Sequence, residues 1–555
     1  MEDKRTIVAF LIIGVIIVLM PYYLDWLGVS SPAVPPAAPR SESSLALSAA
    51  PESVVPLAGA LDAAVQPGTT LGPSDSVHAF VPREVVVSTP LHRLTFSTQG
   101  GVLVSAVLPR FRVSSSAQVG EAKMVELLPA GGKGFSLELV QGEPAVDLSV
   151  LEFVPDREQG LTLQAGEQGV LRFSARLPGD RTVEKIFHFN ADRYGIETEI
   201  RLAGFREETE AFLNWDGGIG RTEKSEEADL SDMKGLAFIN EDLSELKIAA
   251  DEDKKLWEDK GQVKLVGVRN KYFLTALSPI GEGYFRASLH ADHAGLVVPN
   301  YSYKIGATLS SGVPWRNLFY LGPLDYEELS SYQKELERAM NLGWPVIRQI
   351  SAVLMAVFVA AYQVIPNFGW VIVLFALAIK LLVYPLTQKS FQSANKMQEV
   401  QPKLLALREK FKNDPQRLSR ETMKLYQEEG INPLGGCLPM VLQMPIFFSL
   451  YNVFSNTIEL RQAPFMLWIQ DLSLPDEVLI AGFGLHILPL LMAVSMFFQS
   501  KMTMKDPKQA AMVYLMPVMM IFIFWKLSSG LVLYWTVFNL LSIAQQWLTV
   551  RFQSK

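Results

Sequence analysis

Apolar stretches long enough to cross a membrane divide the carboxy-terminal part of this chain, and another lies at its start. A bilayer core is about 30 Å thick, so a spanning helix needs about 20 predominantly apolar residues. Such stretches lie at residues 6–27 and at about 369–387, 436–454, 481–500, 510–525 and 530–548. In the whole chain, 49% of the residues are hydrophobic and only 19% are charged. The sequence therefore predicts a membrane protein with six transmembrane α-helices.

The first apolar stretch has the features of a membrane anchor. Lys4 and Arg5 precede the run from Thr6 to Leu27, which favours a cytosolic N-terminus. A cleaved secretory signal peptide is the alternative. The run is long for a signal peptide, and bulky aromatic residues follow Pro21 in place of a small-residue cleavage site. We therefore predict that residues 1–27 form an uncleaved signal-anchor helix.

Two regions of different composition follow the anchor. Residues 28–79 contain eight prolines and many alanines and serines, which indicates a linker that cannot form a core. Residues 80–324 contain stretches such as TVEKIFHFN and YGIETEIRLAGF, in which apolar and polar residues alternate between turn signals. This pattern predicts a large antiparallel β-sandwich. Its charged stretch 221–262 is predicted to be loop and edge rather than a site.

The chain gives no sign of enzyme chemistry. The predicted sandwich lacks GxSxG, HExxH, CxxC and P-loop patterns. The single cysteine, Cys437, excludes an internal disulfide bond. A net charge of −7 gives no indication that nucleic acid is a main ligand. We therefore predict no catalytic residue, no metal and no cofactor.

The distribution of basic residues sets the predicted topology. Residues 388–432 contain nine lysines and arginines, so the positive-inside rule places them in the cytosol. Their helical spacing, with Pro415 placed to start a second helix, predicts a helical hairpin. With the N-terminus inside and the sandwich outside, one span must separate the sandwich from this hairpin. That span is 369–387, so the segment 325–367 is predicted to be amphipathic and interfacial, although its apolar part, 346–365, could also span.

Lys380 lies inside the apolar stretch from Trp370 to Thr387, about 15 Å along a helix from Trp370. A charged group at that depth costs about 2.5–3.5 kcal/mol on insertion scales, which favours a polar cavity or pathway around it. The alternative is a lysine whose stem reaches the cytoplasmic headgroups. The stretch alone does not decide between them.

Three blocks of sequence are more specific than composition. They read KLLVYPLT with SANKMQEVQPKLLALREKF, then NPLGGCLPMVLQMPIFFSLYNVF with ELRQAPFMLWIQDLS, and finally MPVMMIFIFWKLSSGLVLYWTVFNLLSIAQQ. These blocks resemble the YidC/Oxa/Albino family of membrane protein insertases over about residues 340–550. The order of anchor, linker and large outer domain is similar to the Gram-negative type, which has a large periplasmic domain.

The resemblance implies a site. Five spans would form an insertase core with a hydrophilic groove that is open to the cytosol and lipid and closed on the outer side. The groove positions of the family map onto Lys380, Gln499 and Trp535, and its substrate-contacting stretch maps onto Gln443, Met444, Pro445 and Phe447. The family usually has arginine where this chain has Lys380, and lysine keeps the charge but not the bidentate fork.

The resemblance also implies the function, the location and the partners. The activity would be insertion and folding of nascent inner-membrane proteins, alone or with the Sec translocon, without nucleotide hydrolysis. We expect a bacterial inner-membrane protein with a periplasmic sandwich and both termini in the cytosol. A contact arm in the cytosolic hairpin is predicted at Lys403, Arg408, Lys410 and Arg417. Expected partners are nascent membrane proteins, the Sec translocon, the lipid bilayer and, through this arm, the ribosome.

Two other functions fit part of the sequence. A secondary transporter would have two related halves with broken helices. No internal repeat is visible, and five core spans do not divide evenly. A receptor or glycan-binding enzyme would need a constellation of carboxylates or histidines in residues 80–324, and none is evident.

Overall fold

The computed structural model describes residues 80–553, with gaps at 114–122, 141–144, 207, 224–228, 230–231, 250–251, 282, 284, 294–298, 431–437, 481–482 and 504–509. The predicted signal anchor, 1–27, and the predicted linker, 28–79, lie outside the described residues.

Residues 84–323 form a β-rich domain, called the β-domain below. Its strands are β1 Glu84–Ser88, β2 Arg93–Ser97, β3 Val102–Arg112, β4 Met124–Glu126, β5 Lys133–Val140, β6 Val146–Asp147, β7 Val154–Pro155, β8 Leu161–Thr162, β9 Gln168–Leu177, β10 Arg181–Asn190, β11 Gly195–Ala203, β12 Thr209–Asp216, β13 Lys234–Ile239, β14 Asp242–Leu246, β15 Lys254–Gly261, β16 Val263–Arg269, β17 Phe273–Pro279, β18 Phe285–Asp292, β19 Asn300–Leu309 and β20 Trp315–Pro323. A 3-10 turn, Leu148–Val150, lies between β6 and β7.

Two large sheets make up the β-domain. One has the strand order β15-β18-β19-β12-β5-β3-β2-β1-β8, with β4 and β6 added to β3 and β5. The other has the order β14-β13-β16-β17-β20-β11-β10-β9-β7. Neighbouring strands are antiparallel, apart from β1 and β8. The edge strands β14 and β15 both come from the charged stretch 221–262.

The core of the β-domain lies between the two sheets. Strand side chains point alternately to opposite faces, so every second residue is buried in a strand that has one solvated face. In β2, for example, Leu94 and Phe96 are buried and their neighbours are less so. The ring of Phe187, from the second sheet, lies 4.8 Å from that of Phe96 and 5.0 Å from that of Phe135, both from the first sheet. Aromatic contacts across the sheets therefore hold the sandwich together.

The helical part of the chain follows β20. Its helices are α1 Tyr326–Ser331, α2 Pro345–Val364, α3 Phe368–Leu382, α4 Tyr384–Glu399, α5 Gln401–Lys410, α6 Pro415–Glu428, α7 Leu438–Asn456, α8 Ile487–Thr503, α9 Ala510–Phe524 and α10 Ser529–Gln553. Two short strands, β21 Val478–Ile480 and β22 Phe483–Leu485, form a hairpin before α8. Two 3-10 turns, Leu336–Ala339 and Ile458–Leu460, follow α1 and α7.

Local chemistry explains where several helices begin. Asn367 accepts a hydrogen bond from Trp370 N and caps α3. Asp414 accepts one from Arg417 N and caps α6, and Pro415 occupies the first helical position. A side-chain acceptor at the N-cap satisfies an amide that has no partner within the helix, and proline is tolerated at that first position.

Two predicted helical segments differ from the structure. The predicted span 481–500 begins too early, because 483–485 pair with β21 and Leu488 N donates to Asp476 Oδ2 at the start of α8. The predicted span 369–387 is divided at Val383, between α3 and α4. Turn and cap contacts decide these boundaries, and an apolar run does not show them.

Length and hydropathy single out one helix among the residues that the structure describes. In the described part of the chain, only α2, with 20 residues, is long and apolar enough to cross a membrane by these two measures. Phe368–Leu382, Ile487–Met502 and Val513–Phe524 are apolar but shorter. Helix α2, which best fits a membrane span by length and hydropathy, is therefore the helix that the charge distribution assigns to the interface.

Candidate functional site: a polar face among apolar helices

Lys380 lies in the last turn of α3 and is buried, with 6% of its surface exposed. Its Nζ donates to Ser542 Oγ on α10 at 2.7 Å and lies 4.7 Å from the ring centroid of Phe538. Ser542 Oγ in turn donates to Phe538 O at 2.7 Å. The ammonium group is thus held by a hydroxyl group and an aromatic face in the interior of the helical part.

A line of buried polar residues continues along α10 on both sides of this contact. Its members recur about every three residues and stand among apolar neighbours: Thr536, Asn539, Ser542, Gln545 and Gln546. Gln545 Nε2 donates to Thr387 Oγ1 on α4 at 3.1 Å. Asn539 Nδ2 donates to Ser495 Oγ on α8 at 3.4 Å. We call these α10 residues, together with Lys380, Thr387 and Ser495, the polar face.

The polar face extends over a substantial part of a membrane's thickness. The ten residue steps from Thr536 to Gln546 correspond to about 15 Å along a helix. Buried polar groups in an apolar interior are costly unless they have partners, so a row of them is not a neutral packing choice. Of the polar face, only Lys380 on α3 follows from the resemblance. The period of three in TVFNLLSIAQQ was the signal that could have identified the α10 residues.

Trp535 lies about one turn before Phe538 on α10 and packs in an aromatic cluster. Its ring centroid is 5.2 Å from that of Phe447 on α7 and 5.9 Å from that of Phe524 on α9. The structure therefore brings together one residue predicted for the groove and one predicted to contact substrate. Gln499, also predicted for the groove, is partly buried on α8, one turn after Ser495.

The other predicted contact residues lie on the first half of α7. Gln443 Nε2 donates to Tyr534 OH at 2.8 Å, which links α7 to α10 beside Trp535. Met444 is 40% exposed, and Pro445 lies inside the helix. A proline within a helix removes one backbone hydrogen bond and favours a kink. The stretch therefore combines an inward amide with an outward, flexible apolar side chain.

The four predicted arm residues lie on α5 and α6. Lys403 Nζ contacts Glu429 Oε1 at 2.6 Å, and this contact raises the pKa of Lys403. Lys410 and Arg417 lie 5.5 Å and 5.2 Å from the ring centroid of Phe411, one on each side of the turn between the helices. Arg408 is partly buried. The arm thus has an ion pair near its base and two cations near its tip.

The loop at residues 457–476, called the outer loop below, packs against the beginning of α3. The ring centroid of Phe465 lies 5.6 Å from that of Trp370. A Cβ added to Gly369 would lie only 1.9 Å from Phe465 Cδ2, so this approach needs glycine. The loop therefore holds the first turn of α3 closely.

The same loop also contacts the beginnings of α8 and α10. Gly530 N donates to Leu472 O at 2.9 Å, and Ser529 Oγ donates to Asp471 O at 2.7 Å. Asp476 Oδ2 accepts from Leu488 N at 2.7 Å. The starting ends of α3, α8 and α10 are therefore tied to one loop, at the end of the helices opposite to the arm.

Two family models match the chain. The model described as 60Kd inner membrane protein matches residues 360–555. The model described as YidC periplasmic domain matches residues 84–355. Together they cover both the β-domain and the helices that carry the polar face.

Three curated relatives share the name Membrane protein insertase YidC. A relative from Chlorobium phaeovibrioides is 36% identical over 488 residues, which are 84% of this chain and 82% of that protein. One from Chlorobaculum tepidum is 31% identical over 570 residues, which are 98% of this chain and 94% of that protein. A third, from Syntrophus aciditrophicus, is 35% identical over 475 residues, with 84% of each chain covered.

A solved structure is also similar. The active YidC insertase crystal structure with the first transmembrane domain resolved is 20% identical to this chain. The match covers 84% of this chain and 92% of that chain, with a TM-score of 0.37.

Proposed function

The chain belongs to the YidC family of membrane protein insertases, and we propose that the polar face around Lys380 is the path by which client segments enter the bilayer. The protein is an insertase of the bacterial inner membrane with a periplasmic domain, and it is not an enzyme. Its clients are nascent membrane proteins, and its surroundings are lipid. We propose the entry path of the clients, the membrane topology and the further partners.

The contact of Lys380 with Ser542 is the observation that carries the proposal. An ammonium group among apolar helices marks a functional polar site by default, because its burial is costly. Among the described residues, Ser542 Oγ is the hydrogen-bond acceptor of Lys380 Nζ. An ammonium group has three N–H donors, so the remaining donors can bind water or a client carboxylate. The neighbouring amides and hydroxyls lower the cost of bringing a hydrophilic flank to this depth.

The mechanism that follows has two steps. The hydrophilic flank of a client first enters along the polar face, where Lys380 attracts acidic groups. The apolar stretch of the client then moves into the surrounding lipid, and each buried methylene group contributes about 0.8 kcal/mol. Gln443, Met444, Pro445 and Phe447 would contact the client beside Trp535. No nucleotide is required, because the transfer of apolar surface from water supplies the free energy.

The test uses purified protein in liposomes and a client with one span and a short acidic outer tail. Insertion should exceed that in empty liposomes. The double variant Asn539→Leu/Gln545→Leu makes the face more apolar and should reduce insertion several-fold. Leu540→Ile changes a residue of the same helix that is 53% exposed, and it serves as the matched control. Equal insertion by the double variant and the control would exclude the polar face as the path.

The proposed topology has the signal anchor, the span 369–387 and four later spans, six in all, with both termini in the cytosol. Helix α2 would then lie at the periplasmic interface, although it is long enough to cross. The short link at 365–367 separates the two possibilities, because it lies outside only if α2 does not cross. Asn367→Cys in a chain with Cys437→Ala should react with an impermeant thiol reagent from the periplasmic side. Reaction from the cytosolic side alone would show that α2 crosses.

The cytosolic arm is proposed to contact the ribosome or the emerging client. Lys410 and Arg417 lie together at the tip of the hairpin, where they are exposed. Reversal of both charges should weaken co-sedimentation with ribosomes. Lys424→Glu, on the helix α6 that also carries Arg417, is the control. Unchanged co-sedimentation would leave the arm without this role. Cooperation with the Sec translocon is proposed for clients that the purified protein does not insert.

A further inference from the structure

The side chain of Arg461, from the outer loop, is buried inside the β-domain. Its Nε contacts Glu223 Oε1 at 2.7 Å, and both side chains are only 3% exposed. Its Nη2 donates to Arg112 O at 2.8 Å and to Thr222 O at 2.7 Å. One guanidinium group from the helical part is therefore bound by three acceptors from the β-domain, and the planar fork of arginine suits such a set.

Aromatic and polar neighbours complete the socket. The guanidinium carbon lies 5.7 Å from the ring centroid of Tyr272 and 5.5 Å from that of Phe273, within the range of cation–π contacts. The neighbouring Gln462 Nε2 donates to Arg112 O at 3.0 Å. The outer loop is thus attached to the β-domain by two consecutive side chains.

The β-domain holds this socket in shape by its own contacts. Asp229 Oδ1 accepts from Thr222 Oγ1 at 2.8 Å, and its Oδ2 accepts from Glu223 N at 3.1 Å. Asn270 Nδ2 donates to Thr222 Oγ1 at 2.9 Å. The backbone that carries Glu223 is therefore held by contacts that do not involve Arg461, which reduces the entropy lost when the two parts join.

We propose that Arg461 is a positioning residue that locks the outer loop to the β-domain, so that this domain and the periplasmic ends of α3, α8 and α10 form one body. The outer loop is the connection, because it is bound to Glu223 on one side and to the first turns of these helices on the other. The β-domain then acts as a brace for the starting ends of these helices. This role is independent of client entry from the cytosolic side.

The strength of this joint depends on the burial of its two charges. A charge that is removed from water needs a partner, and loss of one partner leaves the other uncompensated. Neutralising Glu223 should therefore loosen the joint more than neutralising a buried carboxylate whose partner is half exposed and lies inside the β-domain. Glu199 provides that comparison, since its side chain is 7% exposed and its Oε1 contacts Arg201 Nη2 at 2.9 Å, while the Arg201 side chain is 47% exposed.

The experiment measures amide hydrogen exchange of the full chain in lipid nanodiscs. Glu223→Gln and Arg461→Met should each speed exchange about tenfold or more in peptides from the outer loop and the first turn of α10. Exchange in the strands of the β-domain should stay unchanged. Glu199→Gln, the matched control, should leave the outer loop protected.

One further variant, and the independent readout of Arg461→Met, keep the test decisive. Arg461→Lys should restore part of the protection, because an ammonium group can contact Glu223 but lacks the fork that also reaches the two carbonyls. If Glu223→Gln disturbs the β-domain itself, Arg461→Met still reports on the joint from the other side. Wild-type protection of the outer loop in Arg461→Met, or equal loosening by Glu199→Gln, would overturn the proposal. The measured exchange rates do not depend on insertion activity.

Discussion

Lys185 in the β-domain and Lys380 in the helical part are both buried, but their surroundings differ. Lys185 Nζ donates to Gly100 O at 2.8 Å and Phe135 O at 2.9 Å, and it lies 5.1 Å from the ring centroid of Phe153. Lys380 Nζ donates to one side-chain hydroxyl, that of Ser542, among the residues that the structure describes. The first lysine is enclosed by fixed backbone acceptors, whereas the second has one movable acceptor.

The comparison shows how burial alone fails to identify a functional charge. Backbone carbonyls of a folded sheet cannot be exchanged for a ligand, so Lys185 is part of the architecture. Its burial lowers its pKa to about 7, chiefly by desolvation. Lys380 instead lies in a row of side-chain hydroxyls and amides that can rotate toward an incoming group. The chemistry of the acceptors, rather than the depth of the ammonium group, separates a structural lysine from one that can serve clients.

Removal of Lys185 should have the largest effect on stability. Lys185→Ala leaves a cavity and three buried carbonyl groups without this donor, so we expect the β-domain to lose about 3–5 kcal/mol. Pulse proteolysis of the full chain across a urea series measures this loss. Lys133→Ala, at an exposed position of β5, is the control. A loss below about 1 kcal/mol would mean that the two lysines do not differ as described.

Removal of Lys380 should affect function more than stability. Lys380→Ala should reduce insertion of a client with an acidic outer tail about fivefold, a difference of about 1 kcal/mol, which is the scale of a hydrated ion pair. A client with a neutral tail of the same length should insert nearly as well as with the wild type, because the polar residues remain. Proteoliposome assays with both clients, and with Lys424→Ala as control, measure the split. Equal losses for both clients would contradict an electrostatic role.

The stability of the β-domain should depend on pH because Lys185 titrates. The pKa of Lys185 is 10.5 in the unfolded chain and about 7 in the folded one, so the folded state binds fewer protons between these values. Stability therefore rises with pH, by on the order of 2 kcal/mol from pH 7 to pH 9, and falls as pH decreases toward 7. Lys185→Met should remove this rise while it keeps most of the packing. An unchanged slope would show that another group carries the effect.

Loss of the Ser542 hydroxyl should have the smallest effect. Ser542→Ala removes the hydrogen bond of Lys380 Nζ, but water in a hydrated groove can replace it, so insertion should change less than about twofold. The same proteoliposome assay applies, with Thr549→Ala later on α10 as control. If Ser542→Ala is as defective as Lys380→Ala, Lys380 depends on a fixed acceptor, and the contrast with Lys185 disappears.

Much of the fold follows from local patterns. The alternation in TVEKIFHFN places Val183, Lys185, Phe187 and Phe189 on one face of β10, and the structure buries all four. That alternation could have identified Lys185 as a core residue, since its neighbours on the face are apolar. The β-rich domain and the insertase family were likewise predicted, because hydrophobic period and motif blocks are properties of short segments.

Contacts between distant segments could not be predicted in this way. Glu223 lies in the charged stretch that is predicted to be loop and edge, and the sequence predicts no role for Arg461. Nothing in either segment indicates that they meet, because pairing across 238 positions depends on how two domains pack. The start of α8 also depended on a contact, between Asp476 and Leu488, that an apolar run does not reveal.

The sequence by itself determined which stretches are apolar, which alternate, which segment carries the basic residues, and to which family the chain belongs. These are set by residue type and spacing along the chain. The tertiary structure decided which polar groups meet: Lys380 with Ser542, Gln545 with Thr387, and Arg461 with Glu223. Hydrogen bonds and ion pairs depend on distances of about 3 Å between atoms far apart in sequence, and only packing fixes such distances.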